Sequence, residues 1–204
     1  SAIMSDELWA VEALDLPDTV ASLDDLSYFT GLRSLSLHHG ASLDLSVLSR
    51  LPLLQSLDLS DCTLSTAAMN TIVTLPELTS LNLSGCAVAE IDALIGLQKL
   101  ETLDLSNNTV SDLTALSGLT PLWHVDISHN QIESLAGLEG NLSVNFIDAD
   151  YNRIKSISKL ESCIMLVRMN LWDNPVNADE VKQLQDIGIL INYNPKYVEP
   201  ETES

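Results

Sequence analysis

Aliphatic residues recur along this chain in the pattern L-x-x-L-x-L-x-x-N at an almost constant interval. The units that contain the pattern begin at Val11, Leu32, Leu54, Leu78, Leu100, Leu122, Val144 and Leu166. Successive starts are separated by 21, 22, 24, 22, 22, 22 and 22 residues. A period of this length is typical of a solenoid, in which each turn buries its apolar side only against the neighbouring turns. The sequence therefore predicts a single stack of eight similar units.

Each unit is expected to begin with a short β-strand whose apolar residues, at unit positions 1, 4 and 6, face the core. On the return side apolar residues follow every three positions, which suits 3₁₀ turns, and the 24-residue third unit is expected to form a true helix at 65–70. We predict an α/β solenoid, a right-handed superhelix with a concave parallel sheet and a convex side of 3₁₀ and short helices. Its expected divisions are an N-terminal cap region at 1–10, eight repeats at 11–176, a C-terminal cap of helix plus strand at 177–194, and an acidic linker or tail at 195–204.

The ninth position of each unit predicts how neighbouring turns are joined. In the last four units it holds Asn108, Asn130, Asn152 and Asn174. An amide at this place can satisfy backbone groups inside the stack. Cys62 and Cys86 occupy the same position in two earlier units, and Cys163 occupies an apolar core position. We therefore expect three buried free cysteines, with no disulfide and no metal site.

The chain is strongly acidic, with 29 Asp and Glu against 9 Lys and Arg and a formal net charge of −20. Between Leu51 and Asn152 the only basic side chain is that of Lys99. Such a surface repels phosphate and attracts cations, which argues against nucleic acid and favours a protein partner with a basic patch. The alternative is that the acidity only keeps the protein soluble. Because the apolar runs are short, membrane insertion is not expected.

The units resemble the 22-residue leucine-rich repeats of bacterial internalin-like surface proteins and of the related phosphatase-regulatory type in eukaryotes. The resemblance extends over about 11–193 and is carried by the units at Leu100 and Leu122 and by Asn174-Pro175-Val176 before the expected cap helix. It implies that a protein partner binds the concave sheet face and that the chain is not an enzyme. It also implies an extracellular or cell-surface location, with the cytoplasm as the alternative.

Alternate strand residues point away from the core, so unit positions 3 and 5, with 2, 7 and 8 at the edges, are expected on the concave surface. Position 5 is Asp in five of the eight units, including the consecutive Asp104, Asp126 and Asp148. Because neighbouring carboxylates repel each other by about 1 kcal/mol or more, this column suggests a cationic partner. The alternative is that a solvated strand edge simply tolerates Asp.

Aromatic residues give a sharper signal than the acids. The nine of them are absent between Leu32 and Pro121, and four fall at concave positions of the last three units. These four are Trp123, Phe146, Tyr151 and Trp172. His124 and Arg168 occupy concave positions beside them. Large rings and Arg are typical of binding hot spots, and the alternative is that these rings cover the C-terminal strands.

No cofactor and no catalytic site is predicted. His124 could be drawn with the Asp column as an acid–base or metal site, but an open curved sheet offers no water-excluding pocket. The leading hypothesis is a monomeric protein-recognition module. The alternatives are an intracellular scaffold or phosphatase-regulatory-type subunit, and a structural spacer or carbohydrate-binding module of a larger wall protein.

Overall fold

In the computed structural model, which describes residues 8–20, 22–38 and 44–194, the repeated segments form one sheet of nine parallel strands. Each strand lies between its neighbours in sequence, from β1 at one edge to β9 at the other. The strands are β1 (Ala13–Leu16), β2 (Ser34–Leu37), β3 (Ser56–Asp58), β4 (Ser80–Asn82), β5 (Thr102–Asp104), β6 (His124–Asp126), β7 (Phe146–Asp148), β8 (Arg168–Leu171) and β9 (Leu190–Tyr193). The predicted α/β solenoid is confirmed.

The return side of the solenoid consists mostly of 3₁₀-helices, as the three-residue spacing of its apolar side chains predicts. They are η1 (Asp24–Tyr28), η2 (Leu45–Arg50), η3 (Asp92–Gly96), η4 (Thr114–Gly118), η5 (Ala136–Leu138) and η6 (Ser158–Ser162). The longest unit carries instead the expected α-helix, α1 (Thr66–Ile72). Its N-terminus is capped by Ser65, whose hydroxyl accepts a hydrogen bond from the backbone N–H of Ala68 at 3.1 Å.

Unit positions 1, 4 and 6 supply the core of the solenoid. In the sixth unit Leu122, Val125 and Ile127 are fully buried, whereas His124 and Asp126 between them are half-buried on the other face of the sheet. Strand β6 pairs in register with β5 and β7, so each inner residue packs against its counterparts one turn away. The burial of these aliphatic layers is the main force that stabilises the stack.

A buried asparagine links each of the later turns to the turn before it. The Asn130 amide Nδ2 donates to the carbonyl oxygens of Leu105 at 2.8 Å and Ile127 at 3.1 Å. Its Oδ1 accepts from the backbone N–H of Val110 at 2.8 Å. Equivalent bonds are made by Asn108, Asn152 and Asn174. The predicted role of the ninth position is therefore confirmed.

Cysteines replace part of this linkage in the earlier units. The Cys86 thiol donates to the Leu59 carbonyl at 3.0 Å, which is the same unit position that Asn130 reaches in its own neighbour. The Cys62 thiol donates in the same way to the Leu37 carbonyl at 3.3 Å. Both thiols and that of Cys163 are buried and free of disulfides. Burial raises the pKa of Cys86 to about 11, so this thiol is a structural donor and a poor nucleophile.

Each strand from β3 to β8 is followed by a sharp turn at unit position 8. The residue there adopts a left-handed conformation, with φ between 54° and 69°, at Asp61, Gly85, Asn107, His129, Tyr151 and Asp173. Gly and Asn tolerate this conformation, whereas it costs a residue such as Tyr about 1 kcal/mol. A bulky ring at position 8 is therefore not explained by the needs of the turn.

The last repeat is followed by α2 (Ala178–Asp186) and by the edge strand β9. Asn177 caps the helix as expected, because its Oδ1 accepts from the backbone N–H groups of Asp179 and Glu180. The Glu180 carboxylate also accepts from the backbone N–H of Ile157 at 2.7 Å and so ties α2 to the preceding turn. The helix and strand expected at 177–194 are thus present, and their role as a cap stays a prediction. Most of the cap region at 1–10 and all of the tail at 195–204 lie outside the described residues.

Within the described part of the chain, no helix combines the length and the apolar character that are needed to cross a bilayer.

We expect a reducing agent to leave the melting temperature unchanged, because none of the three cysteines is in a disulfide. We also expect Cys86 to react slowly with thiol reagents in the native protein and readily after denaturation, because burial raises its pKa. Thermal melts with and without reductant, and thiol titration before and after denaturation, measure both effects. A loss of several degrees on reduction would reveal a missed bridge, since a disulfide typically contributes about 2–4 kcal/mol.

Candidate protein-binding face

Four predicted site residues meet at the start of strands β6 to β8. The Trp123 and Phe146 rings pack edge to face with centroids 5.8 Å apart, and the His124 ring lies 5.7 Å from Trp123 and 6.1 Å from Phe146. The Arg168 guanidinium lies over the Phe146 ring, with its carbon 5.2 Å from the ring centroid. These contacts are typical of aromatic and cation–π interactions. We call this group the aromatic cluster.

Sheet register brings the aromatic cluster together. His124, Phe146 and Arg168 occupy unit position 3 in successive turns and are direct partners across β6, β7 and β8. The same column holds Ser80 and Thr102 in the two preceding turns. A small polar side chain at this position is therefore compatible with the fold. The large side chains of the later turns are not required by it.

His124 is also bonded to the acidic column. Its Nε2 lies 3.1 Å from Oδ2 of Asp148, and the Asn170 amide donates to Oδ1 of the same carboxylate. These two partners hold the Asp148 carboxylate in place from both neighbouring strands. The ring of His124 is thereby oriented between Phe146 and the acids.

Asp104 and Asp126 have a structural role that the sequence pattern did not indicate. Oδ1 of each accepts a hydrogen bond from the backbone N–H two residues later, at Ser106 (2.8 Å) and Ser128 (2.9 Å). Asn82 makes the same bond to Ser84 at 2.9 Å. Such Asx turns stabilise the end of a strand. The column therefore needs a side-chain oxygen at this position but does not need a negative charge.

The carboxylates of the column nevertheless lie close enough to one another to affect their pKa values. Burial raises the pKa of Asp126, and the neighbouring carboxylates of Asp104 and Asp148 raise it further, while hydrogen bonds from Ser128 oppose the rise. Burial likewise raises the pKa of Asp150, against a hydrogen bond from the Trp172 backbone N–H. Asp150 lies outside the predicted set, although its place at unit position 7 could have identified it. A cation that displaces water here would relieve this mutual repulsion.

The other two predicted aromatics lie at the far end of the strands. Tyr151, at the left-handed position 8, stacks on His129 with the ring centroids 4.3 Å apart and the planes 13° from parallel. Trp172 is exposed one turn further on. Position 8 follows position 2 by six residues, which is about 20 Å of extended chain. The predicted residues therefore form two groups on either side of the acids, and His129 is an unpredicted member of the second.

The acidic and histidine side chains do not form a metal-binding group. In residues 8–20, 22–38 and 44–194, no three or more His, Cys, Asp or Glu are arranged to hold a metal ion. From the sequence, His124 and the Asp column could be considered as a metal site. Among the described residues, His124 bonds to this column through the Asp148 carboxylate.

Comparison with known proteins places the chain among repeat proteins. Residues 76–118 match the family described as Leucine Rich repeats (2 copies). No curated protein matches the sequence. Among solved structures, internalin C2 from Listeria monocytogenes is similar over 94% of this chain and 84% of its own, with a TM-score of 0.82 and 25% identity.

Two further structures share the fold at lower identity. An internalin, InlF, from Listeria monocytogenes matches 93% of this chain and 58% of its own, with a TM-score of 0.77 and 20% identity. A leucine-rich repeat protein of Leptospira interrogans matches 93% of this chain and 51% of its own, with a TM-score of 0.74 and 16% identity. Together with the repeat register and the single parallel sheet, these comparisons show that the chain has a leucine-rich repeat fold similar to that of the internalins.

Proposed function

We propose that this protein recognises a partner protein on its concave face, and that the partner docks between the aromatic cluster and the Tyr151–Trp172 end of β6 to β8. The aromatic cluster is the observation that carries the proposal. Its rings lie on the solvent side of the sheet, and Trp123 keeps 36% of its surface exposed. Partly exposed Trp and Phe beside an Arg are typical of interaction hot spots.

The aromatic cluster is not needed to complete the core beneath it. Val125, Ile147 and Met169 lie on the inner face of the same strands and are buried as fully as their counterparts in the ring-free turns. The equivalent inner residues Leu81 and Leu103 lie below Ser80 and Thr102, without any ring above them. A binding role explains the rings better than a role in covering the sheet.

The partner that fits this face combines an apolar side chain with Lys or Arg. The aromatic cluster offers the apolar contact, and the carboxylates of Asp104, Asp126, Asp148 and Asp150 offer the cation site. The net charge of −20 adds long-range attraction for a basic protein surface. Favourable steering of this kind raises the association rate more than the final affinity.

We also propose a surface or secreted location, which the resemblance to internalin-like surface proteins supports. The intracellular scaffold is the competing proposal, and the two predict different partners.

A photo-crosslinking amino acid in place of Phe146 tests both, with the same group in place of the exposed convex-side residue Ile95 as control. A protein joined from position 146 and not from position 95 supports the concave face, and its cellular location separates the two proposals. Equal labelling from both positions contradicts a concave-face site.

Substitution of Trp123 or Phe146 by Ala should weaken binding of that partner by about 2 kcal/mol each, which is about 30-fold in Kd. The physical reason is the loss of apolar contact area in the interface. Isothermal titration of each variant measures the change, and Ile95→Ala serves as the matched control for removal of an exposed apolar side chain. If Trp123→Ala unfolds the protein while the remaining folded molecules bind normally, the rings are structural and the proposed site is wrong.

Replacement of Asp104, Asp126 and Asp148 together by Asn should slow association about tenfold or more at low salt and change dissociation little. Asn82 shows that an amide oxygen supports the Asx turn, so at Asp104 and Asp126 this change removes charge while keeping the turn. Stopped-flow rates between about 0.05 and 0.5 M salt should converge with those of the wild type as the charges are screened. The control is Asn at the exposed convex-side residues Asp24, Asp92 and Asp112. An equal effect of the control variant would show that net charge, and not this column, steers the partner.

A further inference from the structure

A second exposed apolar surface lies outside the concave face, along the edge where the chain enters the last strands. Its four large side chains each keep between 50% and 74% of their surface exposed. They are Leu142, Ile164, Met165 and Ile187. We call this surface the entry ridge. Contiguous apolar surface of this kind is unusual on a monomeric soluble protein and marks interaction sites.

The repeat stacks these side chains on one another. Leu142 and Ile164 are equivalent residues of successive turns, 22 positions apart, and Met165 and Ile187 are another such pair. Equivalent residues of neighbouring turns lie about 4.8 Å apart where their strands pair. Ile164 and Met165 are adjacent in the sequence and so link the two pairs into one surface.

Earlier turns of the same solenoid show that the fold does not require apolar residues here. The two residues before the fifth unit are Gln98 and Lys99, and those before the fourth are Pro76 and Glu77. The Lys99 ammonium forms an ion pair with the Glu77 carboxylate at 2.7 Å across the two turns. This position is thus polar in the middle of the solenoid and apolar at its C-terminal end.

The charges beside the entry ridge indicate what covers it. Glu161 and Asp186 are exposed next to Ile164 and Ile187, and within the described ranges neither takes part in an ion pair. The ion pair that precedes them in the sequence, Lys159 with Glu139 at 3.4 Å, involves neither carboxylate. The complementary surface is therefore apolar in the centre and cationic at its flanks.

The spacing of the entry ridge matches one kind of secondary structure. An α-helix rises about 5.4 Å per turn, close to the step of about 4.8 Å between turns of the solenoid. A helix laid along the solenoid axis therefore presents one apolar side chain per turn to successive rows of the ridge. Two open hollows lie at the ends of this path, one of about 480 Å³ beside Leu142 and one of about 500 Å³ beside Gly188, which follows Ile187. They leave room for larger side chains at both ends of such a helix.

We propose that the entry ridge binds a partner protein through a cationic amphipathic helix of about three turns. The surface is separate from the aromatic cluster, and the proposal does not rest on concave-face binding. The helix places its apolar stripe on Ile164, Met165 and Ile187 and its flanking Lys or Arg residues on Glu161 and Asp186. Burial of the ridge side chains supplies the affinity.

The test uses a synthetic helical peptide of about 14 residues, with Leu at helical spacing and Lys elsewhere, and a scrambled peptide of the same composition. Fluorescence anisotropy at about 0.15 M salt measures binding to the full chain. The periodic peptide should bind about tenfold or more tightly than the scrambled one, and Ile164→Ser with Met165→Ser should abolish this difference. Phe146→Ala should leave it unchanged, which separates this proposal from the concave-face function.

The matched control is Leu53→Ser with Ile95→Ser, two exposed apolar residues of the N-terminal half. Leu53 occupies the same place in its unit as Met165, so the control makes the same chemical change at an equivalent site. It should bind the periodic peptide as the wild type does. Equal binding of the two peptides, or unchanged binding by the ridge variant, overturns the proposal. A dimer of the chain that the ridge variant dissociates also overturns it, because a second copy is then the occupant.

Discussion

The hydrogen bonds of the ninth position are the constraint on which the rest of this structure depends. An asparagine such as Asn130 is buried and bonded at once to its own turn and to the turn before it. Each of the later turns is thereby held in register with its neighbour, and the inner aliphatic residues can pack in continuous layers. A fixed register also gives every outward position a fixed place in space. Columns of side chains on the concave face, and not single loops, are consequently the units from which a binding surface is built.

The acidic column shows how one residue type meets a structural and an electrostatic requirement together. Asp104 and Asp126 close the turns after their strands through one carboxylate oxygen. The charge is not needed for that bond, since Asn82 makes it too. Burial raises the pKa of Asp126 and the neighbouring carboxylates raise it further, and a cationic partner is the simplest means to offset that cost. The recurrence of Asp at this turn position therefore places a negatively charged patch beside the aromatic cluster.

Much of the fold could be predicted because it depends on period alone. The strands, the buried Asn108 to Asn174 series and the helix in the 24-residue unit all follow from spacing and residue size. The composition of the aromatic cluster was also predictable, since register places positions 2 and 3 of successive turns side by side. The bond between His124 and Asp148 was not, because it depends on side-chain rotamers across two strands.

Other features were missed because the sequence was read at too few positions of the repeat. Asp150 and His129 lie at positions 7 and 8, and the left-handed turn that positions His129 and Tyr151 is not visible in a pattern of leucines. The entry ridge was missed because the residues before each unit were not compared from turn to turn. Comparison of those residues from turn to turn, such as Lys99 with Met165, would have identified the change from polar to apolar.

The proposed function requires that adjacent residues of one strand have different roles. The inner residue stabilises the fold, and the outer residue contacts the partner protein. Strand β7 tests this directly, because Phe146 is outer and Ile147 is buried. Urea unfolding followed by circular dichroism measures the free energy of unfolding of the two Ala variants. The account predicts a loss of about 3 kcal/mol for Ile147→Ala and about 1 kcal/mol or less for Phe146→Ala. Equal losses, or a larger loss for Phe146→Ala, would show that the concave rings hold the solenoid together and would contradict the account.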